Sequence, residues 1–141
     1  MKILALLAAG LLIGGIVGPG VVSAGPEAEK RATDAALIWL ALIDDGRYAQ
    51  SWKDASSYFR GAATETSWEA SLRGVRQPLG AVQSRAVRAT KEATNLPGAQ
   101  DCHYVVIELQ TSFSAKVSAI ETVTFTEERD GTWRAAGYFI R

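Results

Sequence analysis

The chain has one cysteine, one histidine and one methionine in 141 residues, and its 15 Lys and Arg are matched by 15 Asp and Glu. Each scarcity excludes something. A lone Cys102 closes no internal disulfide, so the fold must stand on packing. One His, one Cys and scattered acids do not make a three- or four-ligand set, so no metal and no metal-dependent cofactor is expected. A balanced charge leaves no electrostatic footprint for nucleic acid or for an anionic membrane. Long apolar runs are also rare, and the exception is at the start. Met1-Lys2 supplies a positive charge, Ile3 to Val17 is almost unbroken apolar sequence, and Val22-Ser23-Ala24 ends in small residues before Gly25.

That order is the order of a secretory signal, cut after Ala24. The competing reading is an uncleaved anchor, since Ile3 to Val22 is long enough to span a ~30 Å hydrocarbon layer. Gly14, Gly15, Gly18, Pro19 and Gly20 would weaken such a helix, and no aromatic or basic cluster marks its far end. The expectation is therefore a signal peptide over 1–24 and a periplasmic or secreted product with no stable membrane insertion. No Cys lies near the cut, which argues against a lipid anchor. Residues 25–141 then form one domain of 117 residues, carrying all 12 aromatic residues, with 14 Lys and Arg against 15 Asp and Glu.

Within this part the hydrophobic period changes once. Ala28, Ala32, Ala35, Ala36, Trp39, Leu40 and Ile43 recur at helical steps, and Asp44-Asp45-Gly46 ends that helix. Tyr48, Trp52, Ala55 and Phe59 predict a second helix closed by Gly61. Thr66 and Glu69 fit a capping box opening a third, with Trp68, Leu72 and Val75 on its stripe and a break at Gln77-Pro78-Leu79-Gly80. The period then drops to two. Strands are expected over Ala81–Lys91, Tyr104–Phe113, Ala119–Glu128 and Thr132–Ile140, the last two joined by an Asp130-Gly131 turn. The expected fold class is α+β: about three helices packed on a curved four-stranded antiparallel sheet.

Several of these segments, taken together in order, resemble a known family. They are Trp39-Leu40, Ile43-Asp44-Asp45-Gly46, Tyr48, Ser51-Trp52, Phe59-Arg60, Trp68, Arg76 to Gly80, Ser84-Arg85, Thr111-Ser112-Phe113, Glu121-Thr122-Val123, Asp130-Gly131, Trp133-Arg134 and Gly137-Tyr138. Over Ala35 to Arg141 the chain is similar to the exported bacterial family catalogued as domain of unknown function 4019. The resemblance implies fold and export, and brings no reaction or ligand. The order of helices before sheet is also similar to nuclear transport factor 2-like domains, in which a cone often encloses a pocket; that likeness speaks to fold rather than function.

Glu121 shares a strand face with Val123 and Phe125, and Arg85 with Val87 and Ala89. If both faces turn inward, Arg85 and Glu121 pair inside the sheet, with Arg76 and Tyr138 nearby. This set is either a polar anchor in a ligand pocket or a structural ion pair fixing strand register. Cys102 and His103, being adjacent, point apart and make no working dyad, so a surface position is expected for them. Asp44 and Asp45 read as solvating a helix end, and Trp39, Trp52, Trp68 and Trp133 as core, Trp133 least clearly. No catalytic residue is assigned. The expectation is a non-catalytic binding or interaction module of the cell envelope, with an unknown protein or small molecule as partner. The second reading is a small-molecule pocket protein or weak hydrolase or isomerase of the nuclear transport factor 2-like type. A third is a homodimer formed through the edge strand at Ala81–Lys91.

Overall fold

The alanine-rich stripe at the start of the domain decides how closely helix and sheet approach. In the computed structural model, which describes residues 25–99 and 102–141, helix α1 runs over Gly25–Asp44 and buries Ala28, Ala32, Ala36, Trp39, Leu40 and Ile43. Gly46, at φ +75°, supplies the left-handed residue after it. The expected signal segment, residues 1–24, lies outside the described residues. None of the described helices is long and apolar enough to cross a membrane.

The second apolar stripe is carried by two short helices rather than one: α2 over Tyr48–Lys53 and α3 over Ser57–Ala62. Ser56 makes the division. It is extended, its hydroxyl accepts from Phe59 N at 3.1 Å, and its own N–H donates to Ala135 O at 2.9 Å. A serine does more for stability as an N-cap than inside a helix, and here the cap also pins α3 to the sheet. The following helix, α4, covers Glu65–Leu79. Its cap is Thr64, which accepts from Ser67 N at 3.2 Å, two residues earlier than the Thr66–Glu69 box implied. Glu65 thereby falls in the first turn, where a negative charge suits the helix dipole. Pro78 does not break this helix. It lies in the last turn, so the N–H···O=C bond it forgoes and the crowding of its ring affect only the helix end, and the chain turns at Gly80, φ +77°. A side chain at Gly80 would also collide with the Ser114 hydroxyl.

Four strands follow: β1 Val82–Ala93, β2 Tyr104–Phe113, β3 Lys116–Glu127 and β4 Trp133–Ile140. They pair as an antiparallel meander in the order β1-β2-β3-β4, so the fold is α+β, with four helices in place of about three. On β2 the buried positions Val105, Ile107, Leu109, Thr111 and Phe113 alternate with partly exposed ones. On β1 the alternation is interrupted. A bulge between Val87 and Ala89 shifts the register, so Ala89 opposes Glu108 and Thr90 opposes Ile107. Ala89 therefore does not share the face of Arg85 and Val87; the extra residue transfers that face to Thr90. Thr90 in turn donates to Glu29 on α1 at 2.8 Å.

The core between helices and sheet is strongly aromatic. Trp39 stacks on Trp68 at 6.0 Å and meets Phe59, Phe125 and Tyr138 edge-on. The indole donors are satisfied by one buried serine: Trp39 Nε1 donates to Ser51 O at 2.8 Å and Trp68 Nε1 to Ser51 Oγ at 2.9 Å. Trp39, Trp68 and Trp133 are buried, and Trp52 packs partly buried against the core with its Nε1 on Ala63 O. Such offset and edge-on ring pairs add about 0.5–1.5 kcal/mol each beyond area burial.

Candidate functional site

Tyr138 carries this aromatic cluster into a polar one. Its ring contacts Trp39 and Trp68, while its hydroxyl donates to Glu121 Oε2. Glu121 is fully buried, on β3 opposite Leu109 and Ile140. Its other oxygen, Oε1, accepts from Arg85 Nε at 2.7 Å and from Thr111 Oγ1 at 2.6 Å. Arg85 reaches it from β1, where it lies directly opposite Thr111.

The guanidinium of Arg85 also turns the other way. Nη1 and Nη2 grip the Asp44 carboxylate at 2.7 and 3.0 Å, a fork-on-carboxylate contact with the last residue of α1. Asp44 Oδ1 accepts as well from Arg76 Nη2 at 2.7 Å, and Arg76 Nη1 lies 3.4 Å from the Tyr138 hydroxyl. The Arg76 guanidinium sits 5.0 Å from the centre of the Phe113 ring, within cation–π range. The chain runs from α1 through α4 and β1 to β3 and β4, so one polar network ties every layer of the domain.

Arg85 and Glu121, expected to pair from their strand faces, do so, and Tyr138 and Arg76 join them, Tyr138 on Glu121 and Arg76 on Tyr138 and Asp44. Asp44 and Thr111 complete the set and were not foreseen. Asp44 had a sufficient local explanation at the helix end, and it does not act as a solvating terminus: its side chain is 22% exposed and held by two arginines. Strand alternation places Thr111 on a face without naming its partner, although a buried hydroxyl needs one.

Electrostatics favour the charged forms of Asp44 and Arg85 and the neutral form of Tyr138. Burial works to raise the Asp44 carboxyl, but the hydrogen bonds and charges of Arg85 and Arg76 outweigh it and hold the group below the usual carboxylate range. Burial works against the charge on Arg85, and its two carboxylate partners overcome this, raising it above its ordinary value. Burial first, and the neighbouring Glu121 charge second, push the Tyr138 phenol well above its ordinary value, so it remains a donor. Every carboxylate oxygen in the set accepts from a protein donor. One donor is left over: Arg76 Nε is buried without a hydrogen-bond partner.

His103 is not free at the surface. Its Nδ1 lies 3.0 Å from Glu127 Oε2, its Nε2 lies 2.9 Å from Glu92 Oε2, and its ring meets Trp133 edge-on at 5.0 Å. A neutral ring donates from one nitrogen only, so both contacts are hydrogen bonds only when the ring is the imidazolium. Burial works to lower the His103 pKa, and the two glutamates outweigh it and raise it. Trp133 is buried, with its Nε1 unpartnered. Cys102 is half-buried and in no disulfide. Among the described residues no group of three His, Cys, Asp or Glu is arranged around a common metal position.

A separate concavity lies away from this network. A groove of about 910 Å³ runs between the α2–α3 corner and the β3–β4 turn, with Lys53, Tyr58 and Arg60 along one wall and Glu127 to Asp130 and Arg134 along the other.

No curated protein matches the chain. A family profile described as Protein of unknown function (DUF4019) matches residues 35–138. That span holds all six residues of the Asp44–Tyr138 network and leaves out the first ten described residues of α1. A match over most of the chain is enough to place it: the protein belongs to the DUF4019 family.

Proposed function

We infer that this chain is an exported, non-catalytic binding module of the bacterial cell envelope. The observation that carries the reading is the closure of the polar network. Glu121 and Tyr138 are at most 1% exposed, and each carboxylate oxygen of Glu121 and Asp44 already accepts from a protein donor. A general acid or base must reach the atom it serves, and the buried Glu121 and Tyr138 reach only their partners in the network. The network is architecture, and recognition belongs to the outer surface. The apolar start of the chain supports export, followed by release at Gly25 into the periplasm or the medium.

The second reading is a small-molecule pocket of nuclear transport factor 2-like type. One observation favours it: the orphaned Arg76 Nε, the kind of buried donor a ligand would satisfy. Self-association through β1 is weaker. That edge carries two register irregularities and the exposed Arg88 and Lys91, the devices that discourage strand pairing between copies.

The test is expression of the full chain in an exporting host. Intact mass of the product gives the N-terminus, with Gly25 expected. Cross-linking in the envelope should recover one stoichiometric partner, and native mass spectrometry should show a monomer with no bound small molecule. A retained compound lost on Arg76→Lys would transfer the assignment to the pocket reading.

A further inference from the structure

Ala35 to Ile43 is nine apolar residues in succession, and the run lies in the second half of α1. Nine residues make about two and a half turns, so the helix is apolar on every side there. The core takes Ala36, Trp39, Leu40 and Ile43, and Ala35 and Leu42 pack partly against it. Leu37, Ile38 and Ala41 are left facing outward. Leu37 is 41% and Ile38 72% exposed, two of the four large apolar side chains exposed among the described residues. A surface helix ordinarily turns polar residues outward, and one that is apolar all round is covered all round. The outer face of α1 has the composition of a covered surface, and no described residue covers it.

Charge brackets this face with opposite signs. Lys30 and Arg31 precede it, and Asp44 and Asp45 follow it. An acid at a helix C-terminus opposes the dipole. Asp44 is compensated by Arg76 and Arg85, whereas the exposed Asp45 carboxylate has no partner among the described residues. Arg31 gives one N–H to Gly131 O at 3.0 Å, and the rest of its fork has no described partner. Arg31 stands seven residues before Ile38, and Asp45, one residue past the helix end, stands seven after it. Seven residues are close to two turns, so the three share one side of α1.

We propose that this face is a self-association surface, on which a second copy of the chain lays its own α1 antiparallel about a two-fold axis at Ile38. Ile38 then meets Ile38, with Leu37 and Ala41 beside it, and Arg31 of each copy meets Asp45 of the other. A two-fold contact requires a face complementary to itself. The basic-to-acidic order along α1 has that property only when the helices run in opposite directions; side by side in parallel they would set like charges together. The second copy also supplies the unpaired Asp45 with the cation it lacks. A single helix pair is at the small end of specific interfaces, so the pair forms in concentrated protein, and dilute protein, as in native mass spectrometry, is monomeric. The inference goes beyond the binding-module reading and does not rest on it.

The test is sedimentation equilibrium of the protein exported from the full chain, from about 10 μM to about 1 mM. A reversible monomer–dimer equilibrium is expected. Ile38→Glu alters an exposed side chain, so the fold is kept, and the dissociation constant should rise on the order of tenfold or more. Val117→Glu, at a position 75% exposed on β3, should leave it unchanged. Asp45→Arg should weaken the dimer by setting two cations together, and Arg31→Asp/Asp45→Arg should restore it, because the exchange keeps the faces complementary. A monomer at every concentration overturns the proposal, as does a dimer that Ile38→Glu leaves intact. Failure of the charge exchange to rescue Asp45→Arg overturns the antiparallel arrangement. A monomer whose envelope cross-linking is lost on Ile38→Glu would give the face to a different protein, and this too overturns self-association.

Discussion

Two cations in this domain do the same mechanical job with different chemistry, toward opposite ends of the β1–β2–β3 ribbon. Arg85 bridges Asp44 on α1 and Glu121 on β3. His103 bridges Glu92 on β1 and Glu127 at the end of β3. The first set is the more deeply buried, with Glu121 at 0%, Arg85 at 11% and Asp44 at 22% exposure; the second is more open, with the three side chains between 19 and 32% exposed. A guanidinium keeps its charge at any ordinary pH, whereas an imidazole loses it. One end of the sheet is therefore held permanently and the other conditionally. Burial explains the choice: a charge placed beside Glu121 must never leave it unpaired, and solvent near His103 makes its loss tolerable.

Breaking the permanent end should give the largest effect. Glu121→Ala leaves Arg85 half-paired and strands the Thr111 and Tyr138 hydroxyls, and should cost about 3–5 kcal/mol in denaturant unfolding. A cost near zero would mean that the network holds nothing. Arg85→Lys should recover little of an Arg85→Ala loss, because an ammonium cannot serve both carboxylates with the same fork. Next in size is Tyr138→Phe. It removes the donor to Glu121 Oε2 while keeping the ring packing, for about 1–3 kcal/mol; an unchanged midpoint would indicate that water replaces the hydroxyl.

The conditional end should separate from the first by pH. His103 has a raised pKa in the folded state, so its contribution is fully present below the unfolded value of about 6.5 and is lost as pH rises through the folded value. Asp44, with a lowered pKa, behaves oppositely: its contribution is present above the unfolded value of about 3.9 and is lost as pH falls through the folded one. His103→Gln should flatten the alkaline slope of a stability–pH profile and leave the acid slope; Asp44→Asn should do the reverse. A single variant that abolished both slopes would show that the clusters are one coupled unit. The smallest effect belongs to the exposed pair Lys30–Asp34, 74 and 57% open. Lys30→Ala should leave the thermal midpoint unchanged, as is usual for surface pairs.

Much of the architecture was legible because the periodicities were clean. The α1 stripe and the alternation on β2 each identify an element and its buried face, and Gly46 marks its turn by a conformation other residues avoid. The strand-face argument connects Arg85 to Glu121 because an acid flanked by Val123 and Phe125 must follow them inward. What escaped had one of two causes. Ser56 and Thr64 as caps, and Pro78 within a last turn, depend on local competition that shifts boundaries by a residue or two. The bulge after Val87, and the pairing of His103 with residues 11 and 24 positions away, depend on strand register. A strand pattern read alone cannot show where one extra residue enters. Asp44 belongs with these: its partners, 32 and 41 residues distant, come from other elements.

The edge-on contact between the sole histidine of the chain and Trp133 has an optical consequence. An imidazolium accepts an electron from an excited indole far more readily than a neutral imidazole does. Emission from Trp133 should therefore brighten as His103 gives up its proton. The domain carries its own fluorescent indicator of whether the β1–β3 tie is closed, readable in dilute solution without a label.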